Sequence, residues 1–236
     1  TIEHDVLKTN FGPLAITRAS RQNTEGETRP LILNCMGNAS DRWSAGAAYI
    51  RNAIDYGDVI VFDYPGYNQS AGGATEEDFD AAVTAWVDWL AATAPTENRP
   101  LIAWGQSLGG FICSEIVSRS DVFDGVIIET SAQNAEQVAA SWIPWFAKPF
   151  LRVEIKESLR AYDSANALAN FEGPILVLGA GRDEVLKVKL ARELAIALDA
   201  KNRDVTYVEF PHASHGNLPQ SEGFDAAATA WFATVK

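Results

Sequence analysis

Positive charge, cysteine and histidine are all scarce in this chain, and each scarcity removes a class of function. Lys and Arg number 19 against 31 Asp and Glu, a formal net charge of -12. A surface of that sign repels nucleic-acid phosphates and anionic lipid headgroups, so neither is an expected partner, and its plainest effect is solubility. Cysteine occurs only at Cys35 and Cys113, the first closing an apolar strand-like run and the second inside an apolar helical run. Both read as buried small hydrophobes, too few for a disulfide framework or a zinc site. No apolar run approaches the length of a membrane span and no signal peptide is visible. The expected location is therefore the cytoplasm, with a leader or anchor removed ahead of Thr1 left open. The histidines are His4, His212 and His215, so a general base has few candidates. No metal or organic cofactor is expected, and nothing in the residues fixes the oligomeric state.

What is present is a regular alternation of strands and helices. With 236 residues, 47% of them hydrophobic, the chain can bury a large core as a single α/β domain spanning 1–236. His4–Thr9 and Leu14–Ala19 flank the turn Asn10-Phe11-Gly12-Pro13 and read as an opening hairpin. Further strands are expected at Leu31–Cys35, Val59–Phe62, Leu101–Gly105, Val126–Ile128, Pro174–Gly179 and Val205–Phe210. Helices are expected from Trp43 to Tyr56, after the capping-box sequence Thr75-Glu76-Glu77-Asp78, after Ser107, from Leu186 to Leu198, and from Glu222 to about Thr234. Phe79, Ala82, Val83, Trp86, Trp89 and Leu90 recur at helical spacing, which makes those tryptophans core residues. Pro95 and Pro100 bracket a loop. Strands joined by single helices run parallel with right-handed crossovers, so the expected fold is a doubly wound, mostly parallel, eight-stranded sheet with an antiparallel start.

The stretch Leu101 to Cys113 concentrates the chemistry. An apolar run ends in Gly105-Gln106-Ser107-Leu108-Gly109 and passes straight into a second apolar run of helical period. Glycines flanking a serine at such a strand-to-helix turn leave room for two backbones in near contact, and they hold the serine in a strained conformation. Ser107 then projects from the strand end beside the N–H groups that open a helix and can receive negative charge. The plainer alternative is a tight turn.

In doubly wound sheets sites lie at the carboxyl ends of the strands. Ser107, Asp183 and His215 each occupy the first loop after a separate apolar strand, so they converge. A serine hydroxyl needs a neutral imidazole to take its proton, and the imidazole needs a carboxylate to fix its tautomer. His4 sits in an edge strand as a solvated residue, which leaves His212 and His215. His215 is preferred because it stands inside its loop beside Gly216. Asp183 has rivals in Glu129 and Glu184, and is preferred because Gly179 and Gly181 shape a tight loop around it.

Between Gln133 and Asn170, after the sixth strand, periodicity weakens around Trp142-Ile143-Pro144-Trp145-Phe146. Pro144 and Pro149 forbid one long helix. The segment 133–170 is expected to be a lid, with Trp142, Trp145 and Phe146 facing substrate; a packed surface excursion is the alternative.

Gly105-Gln-Ser107-Leu-Gly109-Gly110, the Asp183 loop and His215-Gly-Asn together resemble the α/β-hydrolase superfamily over nearly the whole chain. Met36-Gly37-Asn38-Ala39 and Asp63-Tyr-Pro-Gly-Tyr67 are similar to the His-Gly-Asn-Ala and Asp-Tyr-x-Gly-Tyr-Gly segments of the abhydrolase-domain lipases, esterases and acyl-protein thioesterases. The resemblance implies a triad of Ser107, Asp183 and His215, with an oxyanion hole formed by the backbone N–H groups of Leu108 and Asn38. Two departures stand out: Met36 replaces the usual histidine, and Asn68 replaces a glycine. The expected activity is hydrolysis of a small-molecule ester or thioester through an acyl-enzyme. A peptidase or amidase on the same residues, and a non-catalytic binding protein on the same scaffold, are the competing readings.

Overall fold

Apolar side chains alternate along each central strand, and this period of two gives the sheet two faces that must both be covered. In a computed structural model, which describes residues 1–22, 28–143 and 162–235, eight strands form one sheet: β1 Ile2–Thr9, β2 Gly12–Ala19, β3 Leu31–Cys35, β4 Asp58–Phe62, β5 Leu101–Gln106, β6 Gly125–Glu129, β7 Ile175–Ala180 and β8 Val205–Phe210. Their order is β1-β2-β4-β3-β5-β6-β7-β8. The pairs β1 with β2 and β2 with β4 are antiparallel, and every other pair is parallel. This is the expected doubly wound architecture with an antiparallel start.

Leu31, Leu33, Leu101, Ala103, Val126, Ile128, Ile175 and Val177 face one layer. There they meet Trp86 and Leu90 of α2 (Glu76–Glu97), Ile112 and Ile116 of α3 (Leu108–Ser118), and Leu194 and Leu198 of α5 (Val188–Asp199). Ile32, Val59, Val61, Ile102, Trp104, Ile127, Leu176 and Leu178 face the other, beneath α1 (Gly46–Ala53) and α6 (Phe224–Phe232). A fourth helix, α4 (Ala135–Ser141), follows β6.

Two local expectations change. Helix α1 begins at Gly46 because the Asp41 carboxylate accepts from the Trp43 and Ser44 amides, a turn that competes with helix over those residues. Helix α2 opens as expected, Thr75 Oγ1 accepting from Asp78 N, but runs past Pro95 to Glu97. Pro95 falls in the last turn, so the intrahelical hydrogen bond that its missing N–H forgoes lies at the end of the helix. Within the segment expected to form a lid, residues 144–161, Trp145 and Phe146 among them, lie outside the described residues.

The larger correction concerns the cysteines. Cys35 and Cys113 are joined by a disulfide with a Cα–Cα separation of 5.9 Å. Seventy-eight residues separate them in sequence, but pairing of β3 with β5 lays the end of β3 against the second turn of α3, which brings the two side chains together. Among the described residues no helix is long and apolar enough to cross a membrane.

The denatured, unreduced protein is expected to show no free thiol and the reduced protein two. The Cys35→Ser/Cys113→Ser variant should lose up to about 4.5 kcal/mol of unfolding free energy in guanidinium titration, the chain-entropy value for a loop of this length. Two titratable thiols without reductant would contradict the cross-link.

Candidate active site

The carboxyl ends of β3, β5, β6, β7 and β8 bring five loops to one edge of the sheet, and β5 delivers the most strained of them. Ser107, between β5 and α3, has φ 55° and ψ -118°, a backbone conformation rare for a residue with a side chain. It persists because its neighbours leave it no alternative. A Cβ on Gly105 would strike the Gly109 carbonyl, and one on Gly109 would strike the Cys35 carbonyl, so the first turn of α3 is pressed against both strands. Ser107 N donates to Glu129 O at 2.9 Å, and Ser131 Oγ donates to Ser107 O at 2.8 Å.

Asp183 and His215 meet across the loops after β7 and β8. His215 Nδ1 lies 2.7 Å from Asp183 Oδ2. Asp183 is buried, and its other oxygen accepts from the Val185 and Leu186 amides at 2.8 and 2.7 Å. Three interactions therefore fix this carboxylate, and an imidazole donating to it through Nδ1 leaves Nε2 as the free acceptor in the neutral ring. The His215 carbonyl accepts from Gln106 Nε2 at 2.9 Å, tying the loop to the residue ahead of Ser107. No hydrogen bond joins Ser107 Oγ to the His215 ring among the described residues; such contacts commonly close only with substrate in place.

The rival residues are disposed otherwise. His212 and Glu184 are exposed, and His4 Nδ1 is 2.9 Å from Thr17 Oγ1 in the edge hairpin. Glu129 ends β6 and is 5% exposed; its Oε2 accepts from Trp104 Nε1 at 3.0 Å. Burial drives its carboxyl up to about 7, with the Trp104 indole and the nearby His215 pulling the other way. It helps line a cavity of about 210 Å³ behind the His215 loop, together with Asn34, Tyr49, Trp104, Gln106 and Gly216. A larger groove, about 820 Å³, lies between β1 and α2, four strands away from β5 along the sheet.

The remaining expected residues also lie at this edge. Register pairs Cys35 with Gly105, so Asn38 and Leu108 each stand three residues past paired positions on neighbouring strands. Leu108 opens α3, where the first amides have no partner within the helix. Asn38 is exposed, its Oδ1 accepting from Tyr67 OH at 3.0 Å. Met36 is fully buried, and its carbonyl accepts from Tyr64 OH at 2.5 Å. Asn68 takes φ 46°, a left-handed conformation that asparagine tolerates better than most residues, so it can stand where relatives place glycine. Trp142 is 68% exposed and its Nε1 donates to Val185 O at 3.4 Å, against the Asp183 loop. Among the described residues no group of three or more His, Cys, Asp or Glu is placed to hold a metal ion.

Two features lay outside the sequence reading. Arg42 and Asp63 form a buried ion pair, Nε to Oδ2 at 2.9 Å, that fastens the loop after β3 to the loop after β4. Tyr49 and Gln106 meet beneath the site. A polar residue closing the otherwise apolar strand β5 was the only signal for the second feature.

Residues 68–235, well over half of the chain, match the prolyl oligopeptidase family. The chain belongs to that family. Within its α/β-hydrolase fold, an esterase of Pyrococcus furiosus superposes with TM-score 0.68 at 18% identity, over 99% of this chain and 88% of that one. An uncharacterised protein of Mycobacterium tuberculosis is 26% identical over 85% of this chain and 68% of its own length. The lysophosphatidylserine lipase ABHD12 of Rattus norvegicus is 26% identical over 70% of this chain and 44% of that protein. The chain thus spans about two thirds of the mycobacterial relative and less than half of the rat lipase.

Because Glu129 holds its proton to about pH 7 when folded, against an ordinary value of 4.5, the unfolded chain releases that proton first. Its contribution to stability should therefore fall as pH rises from 4.5 to 7, by at most about 1.4 kcal/mol per unit. Glu129→Gln should remove this slope in denaturation curves at pH 5 and pH 7; an unchanged slope would place the titration elsewhere.

Proposed function

We propose that this chain is a serine hydrolase that cleaves a carboxylic ester or thioester through an acyl-enzyme. The observation that carries the reading is the Asp183–His215 contact at 2.7 Å beside a serine held at φ 55°. Ser107 Oγ attacks the carbonyl carbon while His215 Nε2 takes its proton. The oxyanion accepts from the backbone N–H groups of Leu108 and Asn38, at the opening of α3 where the helix dipole adds to the stabilisation. His215 then gives the proton to the leaving alcohol or thiol. Water, deprotonated by the same nitrogen, attacks the acyl group and restores Ser107. Asp183 holds the tautomer and balances the imidazolium charge. Trp142, resting against the Asp183 loop through its contact with Val185 O, offers an apolar surface to an acyl chain. No metal or organic cofactor enters these steps.

A second reading is favoured by the family itself, whose name is that of a peptidase. The machinery would be unchanged, and the leaving group would be an amine.

Ser107→Ala should abolish labelling by a fluorophosphonate probe and lower kcat by several orders of magnitude in a protein that still folds. His215→Ala and Asp183→Asn should each cost about 10³- to 10⁴-fold, whereas His212→Ala and Glu129→Gln should be mild. A severe loss in Glu129→Gln with a mild one in Asp183→Asn would reassign the acid. Turnover of p-nitrophenyl esters above aminoacyl anilides supports the esterase; the reverse order supports the peptidase. Trp142→Ser should lower kcat/KM for long acyl chains more than for acetate, since each buried methylene contributes about 0.8 kcal/mol.

A further inference from the structure

We propose that Gln106 is a positioning residue that fixes the loop after β3 and the His215 loop relative to each other through Tyr49; the proposal rests on the serine hydrolase reading. Three hydrogen bonds run in series. Gly37 N–H donates to the Tyr49 hydroxyl at 2.9 Å, that hydroxyl donates to Gln106 Oε1, and Gln106 Nε2 donates to the His215 carbonyl at 2.9 Å. Both ends of the chain lie beside proposed reacting groups. Gly37 directly precedes Asn38, whose amide would bind the oxyanion, and the last carbonyl belongs to the proposed base itself.

The directions are determined by chemistry. A phenol has one proton to give, and here an amide already occupies an acceptor position on its oxygen, so the proton goes to Gln106. With Oε1 engaged by a donor, the amide nitrogen must meet an acceptor, and the His215 carbonyl supplies it; a flipped amide would set oxygen against oxygen. Burial pushes the Tyr49 hydroxyl above its ordinary value, so it keeps its proton wherever His215 can act as a base. Gln106 is only 8% exposed, which makes an unpaired amide end costly and keeps the series closed.

Space is allotted as tightly as polarity. A Cβ at Gly37 would lie 2.6 Å from Gln106 Oε1 and 3.2 Å from the Tyr49 hydroxyl. Glycine is thus required at this point to let the glutamine reach the tyrosine. The Met36 carbonyl of the same peptide group is held by Tyr64 OH at 2.5 Å, so both ends of the peptide plane that precedes Asn38 are fixed, while Tyr67 OH holds the Asn38 side chain at 3.0 Å.

The test uses Gln106→Met, which keeps the length and removes both polar ends, with Tyr49→Phe, Gly37→Ala and the Gln106→Met/Tyr49→Phe pair. Readouts are kcat and KM on p-nitrophenyl acetate, the rate of fluorophosphonate labelling, and Tm. Each single variant is expected to lose about 10- to 100-fold in kcat and labelling rate, the usual cost of removing a group that orients a reacting one, with KM within about threefold. The pair should lose little more than the worse single, because either change already breaks the series. If Gln106→Met does not fold, Tyr49→Phe and Gly37→Ala carry the same prediction. Lowered Tm with unchanged kcat, or fully multiplicative losses in the pair, would overturn the positioning role. Ser107→Ala is run alongside: loss of labelling there with no effect at Gln106 and Tyr49 rejects this proposal alone, whereas retained labelling rejects the serine hydrolase reading itself.

Discussion

The site depends on how closely the ends of β3 and β5 approach the first turn of α3. Gly105 and Gly109 have no room for a side chain because the Gly109 and Cys35 carbonyls occupy that space, and this contact turns the chain so sharply that Ser107 is left at φ 55°. Such a residue costs about 1–3 kcal/mol and survives only where its surroundings over-determine it. Here the amide of Ser107 is held by β6, its carbonyl by Ser131, and the adjoining β3–α3 contact by the Cys35–Cys113 bond. A helix opening beside Ser107 is a consequence of the same approach, so the proposed nucleophile and the proposed anion site arise together.

The polar groups around this point are handled in two different ways. Asp183 is buried, with two amides and His215 meeting its oxygens. Asp63 is likewise buried, and Arg42 neutralises it while also reaching Ile16 O, Thr17 and Gln69. Removing either member of that pair would leave a buried charge alone, so its worth lies in holding two loops together more than in net stability. Glu129 has one indole donor, and burial raises its carboxyl to about 7. Two carboxyl groups at neighbouring strand ends thus stand in different surroundings, three polar partners against one, which separates the proposed acid of the triad from its nearest rival.

Much of this was legible in the residues because it follows from periods and from glycine. Val205–Phe210 and Leu31–Cys35 were delimited to the residue by apolar runs between turn formers. Ser107, Asp183 and His215 were placed by a topological rule that needs only strand order. What escaped was long-range. The disulfide requires knowing that β3 and β5 are neighbours, which no local pattern around Cys35 or Cys113 encodes, and scarcity of cysteine pointed the wrong way. The Arg42–Asp63 pair and the Tyr49–Gln106 contact join residues 21 and 57 positions apart, each ordinary in its own segment. Pro95 misled because a proline forgoes one hydrogen bond to the turn before it, a cost that a helix of 22 residues absorbs near its end.

The most direct test of the account is the structure of the covalent adduct with a fluorophosphonate. A phosphorus bonded to Ser107 Oγ, its non-bridging oxygen within about 3 Å of both the Leu108 and Asn38 amides, and His215 Nε2 turned toward the reacting oxygens are the expected result. Modification of another residue, or a phosphoryl oxygen pointing away from the opening of α3, would contradict it.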